Sequence, residues 1–268
     1  MSGANSITTG KRRQSMLSRQ TIEKLYDMKL NGMAEGFKDQ LQQPDLSDLS
    51  FEERFSLLVD RHWTWKEDRR TRRLLSLAKL KINSCIEDID YRAPRGLQKS
   101  IVLQLASCEW VRHAQNVIIT GPTGVGKTYL ACALANRACR MGLSALYIRI
   151  PKLFQDLAIA RADGSYPKIM NKIVKARVLI IDDLGLAPMS AQERRDLLEV
   201  VEDRHGLTST IVAAQLPIEH WHENIRDPTI ADAILDRLVH NAYKITLKGE
   251  SMRKLRSNLT KQKDSEKE

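Results

Sequence analysis

The chain has 268 residues, enough for one large domain or two small ones, and 42% of them are hydrophobic. Its formal net charge is +10, which favours a polyanionic partner, nucleic acid before membrane. The N-terminus is polar and no apolar run is long enough to cross a bilayer, so the sequence predicts a cytoplasmic protein without a membrane partner.

The N-terminal third is predicted to be helical. Residues 1–17 are polar and basic, and we expect a disordered arm there. Apolar residues then recur at helical spacing, and Ser50 with Glu53 forms a capping box that opens a further helix. Residues 18–84 are therefore predicted to form a small all-α domain. Residues 85–96 contain a proline and are predicted to be a linker.

Residues 121–128 read GPTGVGKT, the G-x-x-x-x-G-K-T pattern of a phosphate-binding loop. The loop lies between a predicted strand, residues 116–120, and a predicted helix from Tyr129. Glycines let successive N–H groups point at one phosphate chain, and the helix N-terminus adds partial positive charge. Lys127 would reach the β- and γ-phosphates of ATP, and the Thr128 hydroxyl would bind Mg²⁺. The residues predicted to contact the nucleotide are Gly121, Pro122, Thr123, Gly124, Val125, Gly126, Lys127, Thr128 and Tyr129.

Two later strands are predicted to deliver further groups to this site. Four aliphatic residues precede Asp182 and Asp183, a pattern typical of a Walker B strand. Asp182 would join the Mg²⁺ ligands, and Asp183 would orient and deprotonate the attacking water. Gln215 ends another predicted strand, residues 208–214, and could touch the γ-phosphate or the water because ligands bind at the carboxyl ends of parallel strands.

A basic segment follows the second predicted strand. Residues 151–175 contain two short helical patterns with five basic and few acidic residues. Such a surface can track phosphates without reading sequence. The residues predicted to bind DNA are Lys152, Arg161, Lys168 and Lys172.

Four stretches together resemble one known family. They are GPTGVGKT at 121–128, LIIDDLG at 179–185, STIVAAQLP at 209–217 and DPTIADAILDRLVHNAYKITLKGESMR at 227–253. They closely resemble the IstB/DnaC family, a branch of the AAA+ ATPases that includes bacterial helicase loaders and the helper ATPases of insertion sequences. Their order and spacing are more similar to the transposition helper, and the resemblance covers roughly residues 18–253.

The resemblance implies an α/β fold: a five-stranded parallel AAA+ core of strand order 5-1-4-3-2, over residues 97–253, preceded by the helical domain. Residues 254–268 would form a charged tail. The resemblance also implies an ATPase that assembles with ATP on duplex DNA, recruits or activates a transposase, and resets on hydrolysis. A replicative helicase loader is the alternative within the family, and a small-molecule P-loop kinase is the alternative outside it.

The resemblance assigns roles to single residues. Asp183 matches the catalytic acid, Gln215 the sensor, and Arg237 the arginine finger that reaches a neighbouring subunit's ATP. Arg237 could instead be a surface arginine paired with Asp232 or Asp236 on its own helix. Segment 151–175 matches the insertion by which initiator-type AAA+ proteins contact DNA.

Three features depart from the usual AAA+ pattern. The catalytic position holds Asp183 rather than Glu, and the sensor is Gln215 rather than Asn. Only about twenty residues follow the last predicted strand, too few for a helical lid, so its sensor arginine would be missing unless Arg253 substitutes. These features favour an ATP-gated switch over a fast motor.

Overall fold

The computed structural model describes residues 4–43, 46, 48–252 and 254. The chain divides into two compact units, residues 1–72 and residues 73–268. Arg253 and nearly all of the predicted C-terminal tail lie outside the described residues.

Three helices make up the first unit: α1 (Ala4–Asp27), α2 (Asn31–Gln42) and most of α3 (Phe51–Ala78). The predicted capping box is confirmed, since Glu53 N–H donates to Ser50 Oγ (3.2 Å) and Ser50 N–H donates to Glu53 Oε2 (2.8 Å). Gly32 lets α2 approach α3 closely, because a Cβ there would lie 2.6 Å from His62 Cα.

The second unit is a parallel sheet with helices on both faces. Its strands are β1 (Asn116–Thr120), β2 (Ala145–Arg149), β3 (Val178–Leu184), β4 (Ser209–Ala214) and β5 (Ala242–Thr246). Its helices after α3 are α4 (Lys99–Ala106), α5 (Glu109–Arg112), α6 (Lys127–Arg140), α7 (Ile150–Asp163), α8 (Tyr166–Lys175), α9 (Ala191–Glu202), α10 (Trp221–Ile225) and α11 (Pro228–Val239). A 3₁₀ turn, Ile218–His220, precedes α10.

The sheet order is β2-β3-β4-β1-β5, with every neighbouring pair parallel. This confirms the expected order 5-1-4-3-2. The strand register aligns Thr120 with Ala214 and Ile181 with Val212. The carboxyl ends of strands β1, β3 and β4 therefore lie side by side, and the phosphate-binding loop begins there.

Alternate residues of each strand enter different halves of the core. Val117 and Ile119 pack with the α6 side, whereas Ile118 packs with the cluster that contains residues of α7 to α11. Every residue of β1 and β4 is buried, as expected for parallel strands covered by helices on both faces. The apolar runs in the sequence follow from this double burial.

Three predicted boundaries differ from the structure. Helix α1 begins at Ala4, so the arm expected over residues 1–17 is helical from that point, since it lacks proline and runs directly into helical residues. The division between units follows Arg72 rather than residue 84, and α3 crosses it. Residues 85–96 are not a free linker, because Ile86 and Ile89 are buried in the core of the second unit.

Candidate nucleotide-binding site

The phosphate-binding loop has a backbone that only glycine accommodates. Gly121, Gly124 and Gly126 have φ angles of +144°, +85° and +107°, where side chains are strained. A Cβ on Gly121 would lie 2.2 Å from the carbonyl oxygen of Leu247, just after β5. The glycines therefore serve both the turn geometry and its close packing against the last strand.

Lys127 is the first residue of α6 and is buried at the base of the loop. Its Nζ donates to the carbonyl oxygens of Gly121 (2.7 Å) and Pro122 (2.9 Å). A buried ammonium needs such partners, and phosphate oxygens could take the same donors. Lys127 therefore lies inside the loop, and its predicted contact with the β- and γ-phosphates stays a prediction.

Thr128 and Asp182 meet across the gap between α6 and β3. The Thr128 hydroxyl lies 2.9 Å from Oδ2 and 3.2 Å from Oδ1 of Asp182, and Asp182 is almost fully buried. Hydroxyl and carboxylate oxygens are the hard ligands that Mg²⁺ prefers. These donors fit the ion that the phosphate-binding loop implies, and Thr128 with Asp182 would hold it.

The sequence analysis did not find two further partners of Asp182. The hydroxyl of Tyr147, on β2, donates to Oδ2 (2.7 Å), and Lys81 Nζ lies 3.9 Å from the same oxygen. Burial, and next the hydrogen bond to Asp182, raise the pKa of Tyr147, which keeps its proton on the phenol. No local pattern points to either residue, because both are brought in by strand pairing and packing.

At Asp183 the backbone of β3 departs from the regular strand conformation, in which side chains alternate between the two faces of the sheet. Its φ is +66°, and a β-bulge lies between Asp182 and Leu184. Its carboxylate accepts from Arg149 Nε at 2.6 Å, and this bond raises the pKa of the arginine. The predicted catalytic acid is therefore held in an ion pair by the last residue of β2.

A cavity of about 310 Å³ adjoins the loop. It is lined by Ile82, Asn83, Asp88, Asp90, Arg95, Gly124, Gly126, Lys127, Thr128, Tyr129 and Met252. Five of these come from residues 82–95, mostly from the segment predicted to be a linker. Arg95 is buried and donates to the carbonyl oxygens of Asp90 (2.8 Å) and Val125 (3.4 Å), which ties that segment to the loop.

Gln215 directly follows β4 and is half-buried. Ala214 pairs with Thr120, the residue that precedes the loop. Gln215 therefore lies at the carboxyl ends of the parallel strands. Its side chain makes no hydrogen bond within the part of the chain that the structure describes. Its predicted contact with the nucleotide or the water stays a prediction.

Arg237 lies beside the amino ends of the parallel strands, opposite to the end where the phosphate-binding loop begins. Its carbonyl oxygen accepts from the side chain of Asn116 (3.1 Å), the first residue of β1, whereas the phosphate-binding loop follows the last. Its guanidinium forms an ion pair with Glu202 at the end of α9 and donates to the carbonyl oxygen of Ala233 (3.0 Å). The alternative of a surface arginine paired within the chain is met by Glu202 rather than by Asp232 or Asp236.

The basic residues of α7 and α8 divide into two kinds. Arg161 forms a two-pronged ion pair with the buried Asp196 of α9 and stacks 4.5 Å from the Tyr166 ring, and Lys152 pairs with Asp156 at 2.8 Å. Lys168 and Lys172 are exposed one turn apart on α8. Among the described residues no carboxylate forms an ion pair with either, so these two remain available for phosphates, whereas Arg161 is committed to the fold.

The family model described as IstB-like ATP binding protein matches residues 23–260. The chain belongs to this family. An IstB-family relative from Sinorhizobium fredii, named as insertion sequence ATP-binding protein y4pL, is 47% identical over 239 residues, covering 89% of this chain and 98% of its own. The ATP-binding protein of insertion sequence IS1162 from Pseudomonas fluorescens is 47% identical over 203 residues, covering 75% and 88%. That of IS21 from Pseudomonas aeruginosa is 29% identical over 226 residues, covering 84% and 85%.

Solved structures show the same AAA+ fold. DnaI is similar with a TM-score of 0.55 at 22% identity, covering 66% of this chain and 93% of its own. The DnaC helicase loader is similar with a TM-score of 0.52 at 19% identity, covering 64% and 100%. The chain is thus an ATP-binding protein of the IstB family that has the fold of these structures. None of its described helices is both long and apolar enough to cross a membrane.

Proposed function

We propose that the protein is an ATPase that assembles on duplex DNA and recruits or activates the transposase of its insertion sequence. The observation that carries this proposal is the meeting of Thr128 with Asp182, 2.9 Å apart beside the Lys127 loop, in a chain of the IstB family. Such a constellation binds the phosphates and the metal of a nucleoside triphosphate. Hydrolysis of ATP would then reset the assembly.

Hydrolysis in this site rests on groups with separate tasks. Lys127 would hold the β- and γ-phosphates, Thr128 and Asp182 the Mg²⁺, and Asp183 the attacking water. Bound Mg²⁺ neutralises charge that develops on the transferring phosphoryl group. Asp183 would first have to leave Arg149, because the ion pair at 2.6 Å holds its carboxylate away from an attacking water. We therefore propose slow turnover in the free subunit.

The place of Arg237 supports the proposal of self-assembly. Arg237 lies beside the amino end of β1. Within one subunit it is therefore separated from the phosphate-binding loop by the length of that strand. A guanidinium there can complete the active site of an adjacent subunit, where it would stabilise the transferring phosphoryl group. Catalysis would then require at least two subunits.

Duplex DNA is the proposed polyanion. Lys168 and Lys172 lie on the exposed face of α8, and that helix contains no acidic residue. The net charge of +10 adds long-range attraction to a phosphate backbone. Contacts of this kind would be independent of base sequence.

A helicase loader is the second candidate, and only the fold shared with DnaI and DnaC favours it. Two relatives that are 47% identical over 89% and 75% of this chain are named insertion sequence proteins instead. Immobilised protein loaded with ATP should retain the transposase of the same insertion sequence and not a replicative helicase. Retention of the helicase alone would favour the loader.

The decisive experiment measures steady-state ATP hydrolysis across protein concentration, with and without duplex DNA, using Lys127→Ala as the blank. We expect DNA to stimulate the rate, and the rate per subunit to rise with protein concentration as interfaces complete active sites. A rate per subunit that is independent of both would mean that one subunit contains the whole site. The proposal of assembly on DNA would then be wrong.

A further inference from the structure

Tyr147 contacts the candidate metal site from the edge strand of the sheet. It stands opposite Ile180 in the pairing of β2 with β3, two residues before Asp182, a separation of about 6.6 Å along the strand. Its half-buried side chain extends along the sheet and places the hydroxyl 2.7 Å from Asp182 Oδ2. The phenol therefore reaches the carboxylate near the carboxyl end of β3.

The Asp182 carboxylate in turn orients Thr128. A hydroxyl has one proton to donate and lone pairs that accept or bind metal. Because Thr128 lies 2.9 Å from Asp182 Oδ2, its proton is directed at the carboxylate and its lone pairs are left for a cation. The direction of those lone pairs depends on where the carboxylate is held.

We propose that Tyr147 is a positioning residue for Mg²⁺ in the ATP complex, acting through Asp182 on Thr128. The inference rests on the proposed ATP site. Tyr147 is not a metal ligand itself. It fixes the rotation of the carboxylate, so that Asp182 and Thr128 present their oxygens to the ion together, as outer partners of metal ligands do elsewhere.

Lys81 gives the hydroxyl a second consequence. Its Nζ lies 3.9 Å from the same Oδ2 that Tyr147 contacts, and its side chain is 40% exposed. Without the phenol, Oδ2 keeps the Thr128 hydroxyl and this ammonium as neighbours, and only Thr128 and the Asp183 N–H on Oδ1 (3.1 Å) hold the carboxylate against turning toward Lys81. An ammonium drawn closer competes with Mg²⁺ for the same oxygen, so losing the hydroxyl should weaken metal binding selectively.

The test is Tyr147→Phe in the full-length protein, which removes one oxygen and keeps the ring. Binding of a fluorescent, non-hydrolysable ATP analogue is titrated with Mg²⁺, and binding without metal is measured in EDTA. We expect the Mg²⁺ concentration for half-maximal enhancement of binding to rise about tenfold. Affinity in EDTA should be unchanged, a separation that a general loss of structure would not produce.

The matched control is Tyr243→Phe, which removes a phenol from the other edge strand, β5, where it accepts from Gln104 (3.3 Å). It should leave the Mg²⁺ midpoint unchanged. Asp182→Asn is the reference for loss of the metal carboxylate. If Asp182→Asn shifts the midpoint and Tyr147→Phe does not, or if Tyr147→Phe weakens binding equally in EDTA, the role of Tyr147 is wrong. If Asp182→Asn has no effect either, the proposed metal site itself is wrong.

Discussion

Arg149 and Asp183 form an ion pair in which Nε lies 2.6 Å from Oδ2. Arg149 ends β2, and the next residue begins α7, the first helix of the basic segment. Asp183 is the acid proposed to activate water. One contact therefore joins the candidate catalytic group to the strand that leads into the basic segment.

We predict that Arg149→Ala raises ATP hydrolysis in the absence of DNA, because it frees the Asp183 carboxylate. The pair is half-exposed on the arginine side, and such pairs contribute up to about 1 kcal/mol, which corresponds to a rate increase of about fivefold. Stimulation by DNA should shrink by the same factor. The measurement is the steady-state rate with and without duplex DNA.

The matched control is Arg112→Ala, which breaks an exposed ion pair with Glu109 of the same 2.6 Å length on α5. It should leave both rates unchanged. If Arg149→Ala lowers the rate while ATP binding is preserved, then Arg149 assists catalysis, and the idea that it restrains Asp183 fails.

Mixing two inactive variants tests whether Arg237 acts between subunits. Arg237→Ala should bind ATP normally and lose hydrolysis by about 1000-fold, the scale of an arginine that stabilises the transferring phosphoryl group. Lys127→Ala should be inactive for lack of phosphate binding. A mixture should recover part of the activity, since one subunit supplies the loop and the other supplies the arginine.

The control for this experiment is Glu202→Gln, which weakens the ion pair that holds Arg237 in the free chain. Its thermal midpoint reports whether losing this contact destabilises the fold. A mixture no more active than its components, with all variants folded, would place Arg237 outside the active site.

The exposed lysines of α8 should govern DNA affinity. We predict that the double change Lys168→Glu and Lys172→Glu weakens binding to duplex DNA and lowers the slope of log affinity against log salt by about 2, one counterion-releasing contact for each lysine. Binding of ATP should be preserved, because neither residue lines the nucleotide cavity. A filter-binding titration at several salt concentrations measures both quantities.

Lys244→Glu is a suitable control, because Lys244 is exposed on β5 at the far edge of the sheet from β2. Each such substitution changes the net charge by two units. Two lysine-to-glutamate substitutions away from α8 would match the charge change of the α8 double variant. If they reduced DNA affinity as much as that variant does, general charge rather than this helix would account for binding.

Arg161 should behave differently from these lysines. Its partner Asp196 is buried, and Arg161→Ala would leave that carboxylate with Gln192 (2.8 Å) as its remaining described partner. We predict a loss of about 1–3 kcal/mol in the free energy of unfolding, measured by urea denaturation, since Arg161 is itself one-third exposed. The salt slope of DNA binding should not change. A reduced slope with full stability would return Arg161 to the DNA surface.

Local sequence was sufficient to locate the phosphate-binding loop and the strands around it. The loop at 121–128 is recognisable in the sequence because phosphate binding requires glycines and a lysine at fixed spacing. The strands around it are visible because burial on both faces requires continuous apolar runs. The family resemblance added the strand order, which the register of β1 with β4 and β5 bears out.

Tertiary structure decided which partner each charged group takes. Tyr147 and Arg149 reach Asp182 and Asp183 only because β2 pairs with β3, and a β-bulge re-aims Asp183. In the same way Asp196 claims Arg161. Such contacts join residues about 35 positions apart, and the sequence contains charged groups that could pair in many ways. Periodicity indicates which face of an element is buried, whereas a particular ion pair depends on distances of a few ångströms that exist only after the elements have packed.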